Sequence, residues 1–453
     1  MSLIQRLAVA HDKPHAFTIQ YPPGREYFQK SFRSAPADIA DFLSSKGGLS
    51  SLSEFGLYLH VPFCRARCLY CNFPIDTRRD TGLFAGYVDT LIRQLGLLAD
   101  TVPASSKVYG IDIGGGTPTL LPQAEMGRLL KALGPWRARS SAKRPLSVET
   151  GPETASREPE KFAMMRSLGV GRVSLGVQTA EADLLVRINR KQQRLEVESA
   201  LKHLKDAGFE RINIDLIFGL PGQGLAEWRA DLKLAAGLLP DSITTYDCLY
   251  RGKGRGFVMT GARPPSPAVY GKLYEEAYTF LTSKGYHAPY GSVNFSLHRG
   301  ETGSSAYFEG RLLDGLSYLG VGQYASSMVG CRWWFAPMRL WDWMKAVQEG
   351  SALPAEDCYS LPEDERLAKQ ILWTLSFGYL DLERFREAFG WGIKPRFSRV
   401  LEAAQEKGWL ARKGNRYCMA PGSFRHLPEL RALFYTDGAL DWVRTQEDAC
   451  VPA

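Results

Sequence analysis

The sequence has no long apolar run, no low-complexity tract and no block of like charge. No stretch reaches the roughly 18 apolar residues of a membrane-spanning helix, so we expect no membrane partner. Lys and Arg number 56 and Asp and Glu 48, and because the net charge of +8 is scattered along the chain, no nucleic-acid partner is implied. The apolar share of 45% is ordinary for a folded globular protein.

Cysteine is scarce and unevenly placed. The apolar stretch in "MSLIQRLAVAHDKPHAF" is too short for a signal peptide, so we expect a cytoplasmic protein. Of the eight cysteines, Cys64, Cys68 and Cys71 stand close together in a CxxxCxxC spacing, and the other five are dispersed. In a reducing compartment this distribution favours a metal site over a disulfide framework.

Short β-branched runs alternate with amphipathic stretches between residues 53 and 250. Six such alternations predict an α/β fold with a parallel sheet, in the form of a partial (β/α)6 TIM-like barrel. We expect an N-terminal arm at 1–52, the barrel with an extension that covers the substrate at 53–350, and a helical, winged-helix-like C-terminal domain at 351–453. The six runs are "FGLYLHV", "KVYGIDIGGG", "PLSVET", "RVSLGVQ", "RINIDLIFGLP" and "DSITTYD".

The three clustered cysteines admit four chemical interpretations. A zinc site requires four ligands, of which His60 is a poor fourth because it lies on a predicted strand. A thioredoxin-like redox pair would use Cys68 and Cys71 and leave Cys64 unexplained, and a nucleophilic cysteine would need a histidine partner. A four-iron, four-sulfur cluster held by three thiolates leaves one iron open for a ligand.

CxxxCxxC with an aromatic residue, Tyr70, before the last cysteine resembles the signature of the radical S-adenosylmethionine (SAM) superfamily. In that family the open iron binds the amino and carboxylate groups of SAM, and an electron from the cluster cleaves SAM to a 5′-deoxyadenosyl radical. The resemblance implies that Cys64, Cys68 and Cys71 hold the cluster. It also implies a reductant such as flavodoxin or ferredoxin.

Further stretches match the same family in the same order, among them "GGGTP" after the second strand and "DLIFGLPGQ" at the fifth. The glycines of "GGGTP" permit close backbone approach, and we expect exposed N–H groups there to meet the methionine part of SAM. The SAM contacts implied by the resemblance are Tyr58, Tyr70, Phe73, Gly115, Gly116, Thr117, Glu149, Gln178, Arg190, Asp215, Ile217 and Leu249.

Most of the chain resembles the branch typified by oxygen-independent coproporphyrinogen III oxidase, called HemN-like. The oxidases carry a further cysteine just after the third ligand, where this chain has Asn72 and Phe73, and the heme chaperones carry a His-Asn pair that is missing here. We therefore prefer a class C methyltransferase or cyclopropanase of natural-product biosynthesis, which uses a second SAM to transfer one carbon to an sp² carbon. The alternatives are porphyrinogen decarboxylation and a heme chaperone.

The chain beyond residue 280 is rich in aromatic residues, and the run of Trp333, Trp334 and Phe335 is too dense for one face of a strand. We expect at least one of these rings to meet solvent or a planar aromatic substrate. A winged helix that binds DNA is a further reading of the C-terminal region, but "ARKGNR" is explained equally by a solvated turn. The candidates for a proton donor or acceptor are Tyr246, Asp247, Cys248, Tyr250 and His287.

Overall fold

The structure is a computed structural model that describes residues 1–17, 21, 25–140, 144–248, 250, 261–390 and 395–446. The N-terminal arm is more regular than its Pro- and Gly-marked sequence indicates. Its elements are α1 (Leu3–Asp12), α2 (Arg25–Ser31), β1 (Arg33–Ser34) and α3 (Pro36–Ser44). Ser2 caps α1 in a capping box with Gln5, which satisfies N–H groups that a helix start leaves unpaired.

Six parallel strands form the barrel, and each lies where the β-branched runs predict it. The strands are β2 (Glu54–Val61), β3 (Lys107–Gly115), β4 (Leu146–Thr150), β5 (Val170–Gln178), β6 (Arg211–Phe218) and β7 (Ser242–Asp247). The intervening helices are α4 (Thr81–Thr101), α5 (Gln123–Ala132), α6 (Gly134–Ala138), α7 (Pro152–Arg157), α8 (Pro159–Ser167), α9 (Ala182–Arg187), α10 (Arg194–Asp206) and α11 (Leu225–Gly237). Two of the connections between strands contain a pair of helices, α5 with α6 and α7 with α8, because Pro135 and Pro159 start a new helix.

The sheet continues beyond the barrel on both sides, so the barrel is open. Its strand order is β1-β12-β11-β10-β9-β2-β3-β4-β5-β6-β7-β8 among the described residues. The added strands are β8 (Asn294–Ser296), β9 (Tyr318–Val321), β10 (Ser326–Val329), β11 (Arg332–Phe335) and β12 (Asp357–Ser360), and the helices between them are α12 (Pro267–Ser283), α13 (Ala306–Leu312) and α14 (Leu340–Gln348). Helix α13 packs against β2 and β3, where Gly110 leaves room for the backbone of Tyr307.

The C-terminal region contains helices and a small separate sheet with the order β13-β15-β14. A strand, two helices and a hairpin follow one another as in a winged helix. Glu365 accepts hydrogen bonds from Tyr27 Oη at 2.6 Å and Thr436 Oγ1 at 2.5 Å, and so ties the N-terminal arm to this region. The elements are α15 (Glu363–Thr374), β13 (Tyr379–Asp381), α16 (Leu382–Phe389), α17 (Pro395–Glu406), β14 (Leu410–Lys413), β15 (Arg416–Met419), α18 (Leu427–Phe434) and α19 (Asp437–Thr445).

The two faces of the barrel strands differ in polarity. Along β2, Phe55, Leu57 and Leu59 are fully buried against the outer helices, whereas Tyr58 faces the interior and keeps part of its surface open. The interior of the barrel, which we call the lumen, is lined mainly by polar side chains. Within the described ranges, no helix is both long enough and apolar enough to cross a bilayer.

Candidate cofactor site at the mouth of the barrel

The three cysteines lie on a loop that follows β2 at the carboxyl end of the sheet. The loop is tied to its surroundings through the backbone: Cys64 N–H donates to Asp76 O at 2.9 Å, and Leu69 N–H donates to Ile188 O at 3.1 Å. Cys71 N–H donates to Cys68 O at 3.1 Å. These bonds hold the loop over the mouth of the barrel, where the chemistry of such folds is located.

A small apolar cluster, separate from the main core, supports the cysteine loop. Leu69 and Tyr70 from the loop pack against buried side chains from the ends of neighbouring elements. The buried members are Leu185, Ile188, Ile217, Leu220, Cys248 and Tyr250. Three of the sequence candidates therefore pack under the loop: Ile217, proposed as a SAM contact, and Cys248 and Tyr250, proposed as proton carriers.

The structure argues against a catalytic role for Cys248 and Tyr250. Cys248 is 4% exposed, and burial raises the pKa of its thiol well above the ordinary value, so it stays protonated. Tyr250 is equally buried and donates its hydroxyl to Gly219 O at 2.8 Å. Both side chains serve the packing of the loop.

Arg190 links the cysteine loop to the end of β5. Its Nη1 donates to Tyr70 Oη at 3.1 Å and lies 3.9 Å from Cys68 Sγ, while Nη2 donates to the carbonyl of Gly176. Gln192 Oε1 accepts from Nε at 2.7 Å and fixes the guanidinium from the other side. Arg190 thus places a positive charge beside a cysteine that must become a thiolate to bind iron.

Gln178 has the properties of a ligand contact. It has a left-handed backbone, with φ of 69°, at the last residue of β5. Its Oε1 atom is buried and accepts no hydrogen bond from the described residues. A buried acceptor without a donor is costly, which fits a site completed by a bound molecule.

The thiols are not prearranged for a single ion. No group of three His, Cys, Asp or Glu side chains in the described ranges converges on one metal position. A four-iron cluster makes a different demand, since it binds each thiolate through a separate iron and keeps the sulfurs apart. Burial raises the pKa of Cys64 to about 12 and raises that of Cys71, so binding of iron must displace protons from these thiols.

The glycine-rich turn after β3 packs tightly under the loop. A Cβ on Gly115 would lie 2.4 Å from the His60 ring, and one on Gly116 would lie 2.6 Å from Pro62, so neither position admits a side chain. The N–H groups are already used: Gly115 donates to Glu149 Oε2 at 3.1 Å, Gly116 to Val61 O at 2.8 Å and Thr117 to Phe63 O at 2.7 Å. The expectation of exposed N–H groups is therefore wrong. The turn holds the cysteine loop and Glu149 in place.

Three carboxylates, those of Asp112, Glu149 and Asp215, face the lumen below the cysteine loop. Burial, and after it the charges of Asp215 and Asp112, raise the pKa of Glu149 to about 7. Burial likewise raises the pKa of Asp112 to about 6 and raises that of Asp215. Arg172 is the cation whose charge offsets all three, and it donates to Ser147 Oγ at 3.0 Å and Gly303 O at 3.2 Å.

Asp112 and Arg172 did not emerge from the sequence as site residues. Both lie on predicted strands, and two-residue alternation could have found them: Asp112 shares the inward face with Gly114, and Arg172 shares it with Ser174. Asp112 Oδ2 accepts from Ser305 Oγ at 2.5 Å, but its Oδ1 is buried without a partner among the described residues. Asp215 accepts from Ser174 Oγ and Asn213 Nδ2, both at 2.8 Å.

The remaining candidates are dispersed. Tyr246 faces the lumen, with 40% of its surface exposed. Partial burial, together with the charges of Asp215 and Glu149, raises its pKa, so its phenol stays protonated. Asp247, the next residue on β7, points to the opposite face. His287 pairs with Ser296, which lies opposite the first residue of β7, so it is at the far end of the sheet from the cysteines and outside the site.

Phe73 and Tyr58 occupy different surroundings. Phe73 is 56% exposed beside the loop, and its carbonyl accepts from Arg67 Nη1 at 3.2 Å. Tyr58 stacks on Tyr307 inside the lumen with ring centroids 5.6 Å apart. Leu249 lies outside the described residues.

Trp333 and Trp334 are both buried, on opposite faces of β11. Three large aromatic residues can follow one another in this strand because both of its faces are packed against other parts of the protein. Phe28 from the N-terminal arm packs edge-on against Trp333 with centroids 5.6 Å apart. Phe335 keeps part of its surface open.

The profile of the Radical SAM superfamily matches residues 58–235, from the second half of β2 to α11. A solved structure described as coproporphyrinogen III oxidase (HemN) from Escherichia coli, a radical SAM enzyme, superposes with a TM-score of 0.73 and 22% identity over 93% of this chain and 97% of that chain. This likeness concerns the fold, and it extends from the barrel into the C-terminal region.

Proteins of known function that are similar in sequence place the chain more narrowly within this superfamily. The chain is 27% identical to heme chaperone HemW of Bacillus subtilis over 367 residues, 78% of this chain and 92% of the relative. It is 30% identical to HemW of Lactococcus lactis over 61% of this chain and 70% of the relative. Identity to the oxygen-independent coproporphyrinogen III oxidase of Escherichia coli is 28% over 67% of this chain and 69% of the relative. The chain therefore belongs to the radical SAM superfamily and, within it, to the HemN-like branch.

The family membership has two consequences. A four-iron, four-sulfur cluster and SAM are the cofactors, and the unpartnered Gln178 oxygen and the acidic lumen below three cysteines fit them. A second SAM stays a prediction. The methyltransferase or cyclopropanase preferred from the sequence is wrong, since the relatives are heme chaperones and coproporphyrinogen oxidases. The missing cysteine and His-Asn pair were weaker indicators of function than the similarity along most of the chain.

Proposed function

We propose that the protein is a radical SAM enzyme of tetrapyrrole metabolism whose substrate is a porphyrinogen, the substrate class that the oxidase relatives are named for, and that it acts there on a propionate side chain. The main support for this proposal is that the cysteine loop lies above an accessible lumen. Four residues that line the lumen keep part of their surface open: Tyr58, Glu149, Asp215 and Tyr246. Similarity to the Escherichia coli oxidase over two thirds of the chain supports the substrate class.

Cys64, Cys68 and Cys71 would hold the cluster, and Arg190 would position Cys68 and Tyr70. When bound, the cluster and SAM supply a 5′-deoxyadenosyl radical at the mouth of the barrel. Asp112, Glu149 and Asp215 favour a cationic ligand in this half of the lumen, which suits the sulfonium of SAM. Glu149 can exchange its hydrogen bond from Gly115 N–H for one from the amino group of SAM.

One hydrogen atom would leave the propionate methylene carbon next to the pyrrole ring and end in 5′-deoxyadenosine. The resulting carbon radical loses carbon dioxide and passes one electron to an acceptor of the flavodoxin or ferredoxin class, and a vinyl group remains. Tyr246 lies on the lumen wall with a protonated phenol, where it can donate a hydrogen bond to the substrate.

A heme chaperone is the second candidate, and coverage of 92% of the Bacillus subtilis relative favours it. The lumen offers little for axial heme ligation by histidine. His60 lies beneath the cysteine loop, its Nε2 is 3.3 Å from Pro74 O, and burial lowers its pKa to about 4. His287 is at the far end of the sheet.

The test is anaerobic turnover of the cluster-loaded protein with SAM, a reductant and coproporphyrinogen III. We expect 5′-deoxyadenosine to form in proportion to a product that has lost carbon dioxide, and we expect neither with Cys68→Ala. Stoichiometric heme binding, with no porphyrinogen-dependent 5′-deoxyadenosine, would overturn the enzymatic proposal in favour of the chaperone.

A further inference from the structure

Two cations, one buried and one partly buried, lie together beside the lumen, on helices outside the radical SAM profile match. Arg311 is on α13 and Lys369 is on α15. The Arg311 guanidinium carbon lies 4.3 Å from the ring centroid of Tyr318 and 4.5 Å from that of Trp373. Lys369 Nζ lies 3.7 Å from the ring centroid of Trp373 and 4.3 Å from that of Trp333. The shared Trp373 ring places the two charges side by side.

Neither cation has a carboxylate partner in the part of the chain that the structure describes. Lys369 is 2% exposed, and among the described residues the one hydrogen-bond acceptor of its ammonium is the weak acceptor Met328 Sδ, at 3.3 Å. Within the described ranges, Arg311 Nε is buried without an acceptor, and Nη1 reaches only Tyr307 Oη, at 3.4 Å. Cation–π contacts offset part of the cost of burial, but they leave N–H donors unused.

The acidic residues nearest in sequence are engaged elsewhere. Glu309 accepts from Thr302, and Asp314 pairs with Arg384. Glu365, one turn before Lys369 on α15, accepts from Tyr27 and Thr436. A buried positive pair with no counter-charge is strongly unfavourable in the absence of a ligand.

Arg311 adjoins the tyrosines that line the lumen. Arg311 keeps part of its surface open although Tyr307, Tyr318 and Trp373 surround it, and Trp373 and Met328 are also partly open. Tyr307 stacks on Tyr58. Burial raises the pKa of the Tyr58 hydroxyl well above its ordinary value, the charge of Glu149 raises it further, and the charge of Arg311 lowers it, so Tyr58 lies within electrostatic reach of both. One continuous wall therefore runs from the SAM half of the lumen to the cations.

We propose that Arg311 and Lys369 form the binding site for a carboxylate of the substrate, which on the proposed function is a propionate of the tetrapyrrole. The guanidinium offers its unused N–H donors to the carboxylate, and the ammonium offers a point charge from the adjacent helix. The aromatic rings exclude water and strengthen both bonds. This site would orient the macrocycle so that another propionate reaches the mouth of the barrel.

The protonation of Lys369 supports this assignment. Burial, and after it the charge of Arg311, lower the pKa of Lys369 well below its ordinary value. A bound carboxylate reverses the effect, so binding of the acid should take up a proton while binding of an uncharged analogue should not.

The experiment measures binding of two probes to the anaerobic, cluster-loaded protein by quenching of porphyrin fluorescence. The probes are coproporphyrin III and its tetramethyl ester, which share the macrocycle and differ in charge. In Lys369→Met and Arg311→Met we expect the Kd of the acid to rise at least about thirtyfold, as for loss of a buried charge partner. We expect the Kd of the ester to change less than about threefold, and the control Lys272→Met, on the exposed face of α12, to behave as wild type.

Other outcomes separate this proposal from the proposed function. Equal binding of acid and ester by wild type, or equal losses for both probes in the variants, would overturn the carboxylate site and leave the tetrapyrrole assignment standing. If neither probe binds wild type, the proposed substrate is wrong. The carboxylate site is then tested by thermal denaturation in sodium propionate and in sodium chloride at equal ionic strength. A higher melting temperature of wild type in propionate, with no such rise in Lys369→Met, supports the site. Equal melting temperatures of wild type in the two salts refute it.

Discussion

The two ends of the lumen have opposite charge. Asp112, Glu149 and Asp215 lie below the cysteine loop with Arg172 as their cation, whereas Arg311 and Lys369 lie beyond Tyr58 and Tyr307 with no carboxylate in the described ranges. If the acidic and basic groups touched, they would neutralise each other as internal ion pairs. Because two tyrosine rings separate them, each set remains available, one for the cationic SAM and the other for an anionic substrate.

Loss of the cluster should have the strongest consequence, because the acidic end of the lumen serves the SAM that the cluster holds. Cys68→Ala should reduce iron and sulfide to near background, because two thiolates do not hold a four-iron cluster. Iron and sulfide analysis after anaerobic reconstitution measures it. The matched control is Cys331→Ala, an exposed free cysteine after β10. Full iron in Cys68→Ala, or equal loss in both variants, would contradict the assignment of the ligands.

Two variants, one at each end of the lumen, test whether the two ends bind different ligands. Glu149→Gln should raise the Kd for SAM by about ten- to a hundredfold, the usual cost of a charged hydrogen bond, and leave the affinity for coproporphyrin III within about threefold. Lys369→Met should raise the Kd for coproporphyrin III and leave the Kd for SAM within about threefold of wild type. Equilibrium dialysis with SAM and fluorescence quenching with the porphyrin provide the four values.

The exposed Glu160→Gln serves as the control for Glu149→Gln. Equal loss of both affinities in either lumen variant would indicate a general disturbance of the lumen, and the separation of function between its two ends would fail.

The acidic end should make stability depend on pH. The folded-state pKa of Glu149, about 7, exceeds the unfolded value near 4.5, so the folded state binds more protons between these values. Stability of the cluster-free protein should therefore fall as pH rises from about 4.5 to 7 and then level off. Glu149→Gln should recover on the order of 2 kcal/mol at pH 7.5 and little at pH 4.5.

Melting temperatures across this pH range measure the effect, with Glu160→Gln expected to follow wild type. A Glu149→Gln variant that is destabilised equally at both pH values would show that the hydrogen bond to Gly115, and not the buried charge, dominates at this position.

The basic end of the lumen should affect the stability of the ligand-free protein only slightly. Lys369→Met keeps the length of the side chain among Trp333, Trp373 and Tyr318 and removes the buried amine. Without ligand, this variant should gain about 1 kcal/mol, because the cost of burying an unpaired cation is removed. Thermal denaturation without ligand checks it. Destabilisation of Lys369→Met, with Lys272→Met unchanged, would show that the ammonium–ring contacts outweigh that cost.

Local pattern was sufficient for the barrel and for the position of the cysteines. The six strands follow from β-branched runs separated by helical periodicity, and CxxxCxxC behind the first of them indicated an incomplete cluster. The prediction failed where a residue's role depends on its neighbours. Cys248 and Tyr250 follow a barrel strand, as catalytic residues do, but the structure packs them under the cysteine loop. The amides of Gly115, Gly116 and Thr117 face the site and are already bonded.

The family, the cofactors and the order of the barrel strands could be predicted from the linear sequence, because these depend on spacing within short segments. The electrostatics of the lumen could not, because they depend on how distant segments pack. Arg311 and Lys369 are 58 residues apart, on helices that lie outside the residues matched by the radical SAM profile. Nothing in their local sequence distinguishes them from solvated surface cations. Their unpaired state exists because packing buries both beside aromatic rings and directs the nearby carboxylates elsewhere, and such long-range arrangements have no signature in a linear pattern.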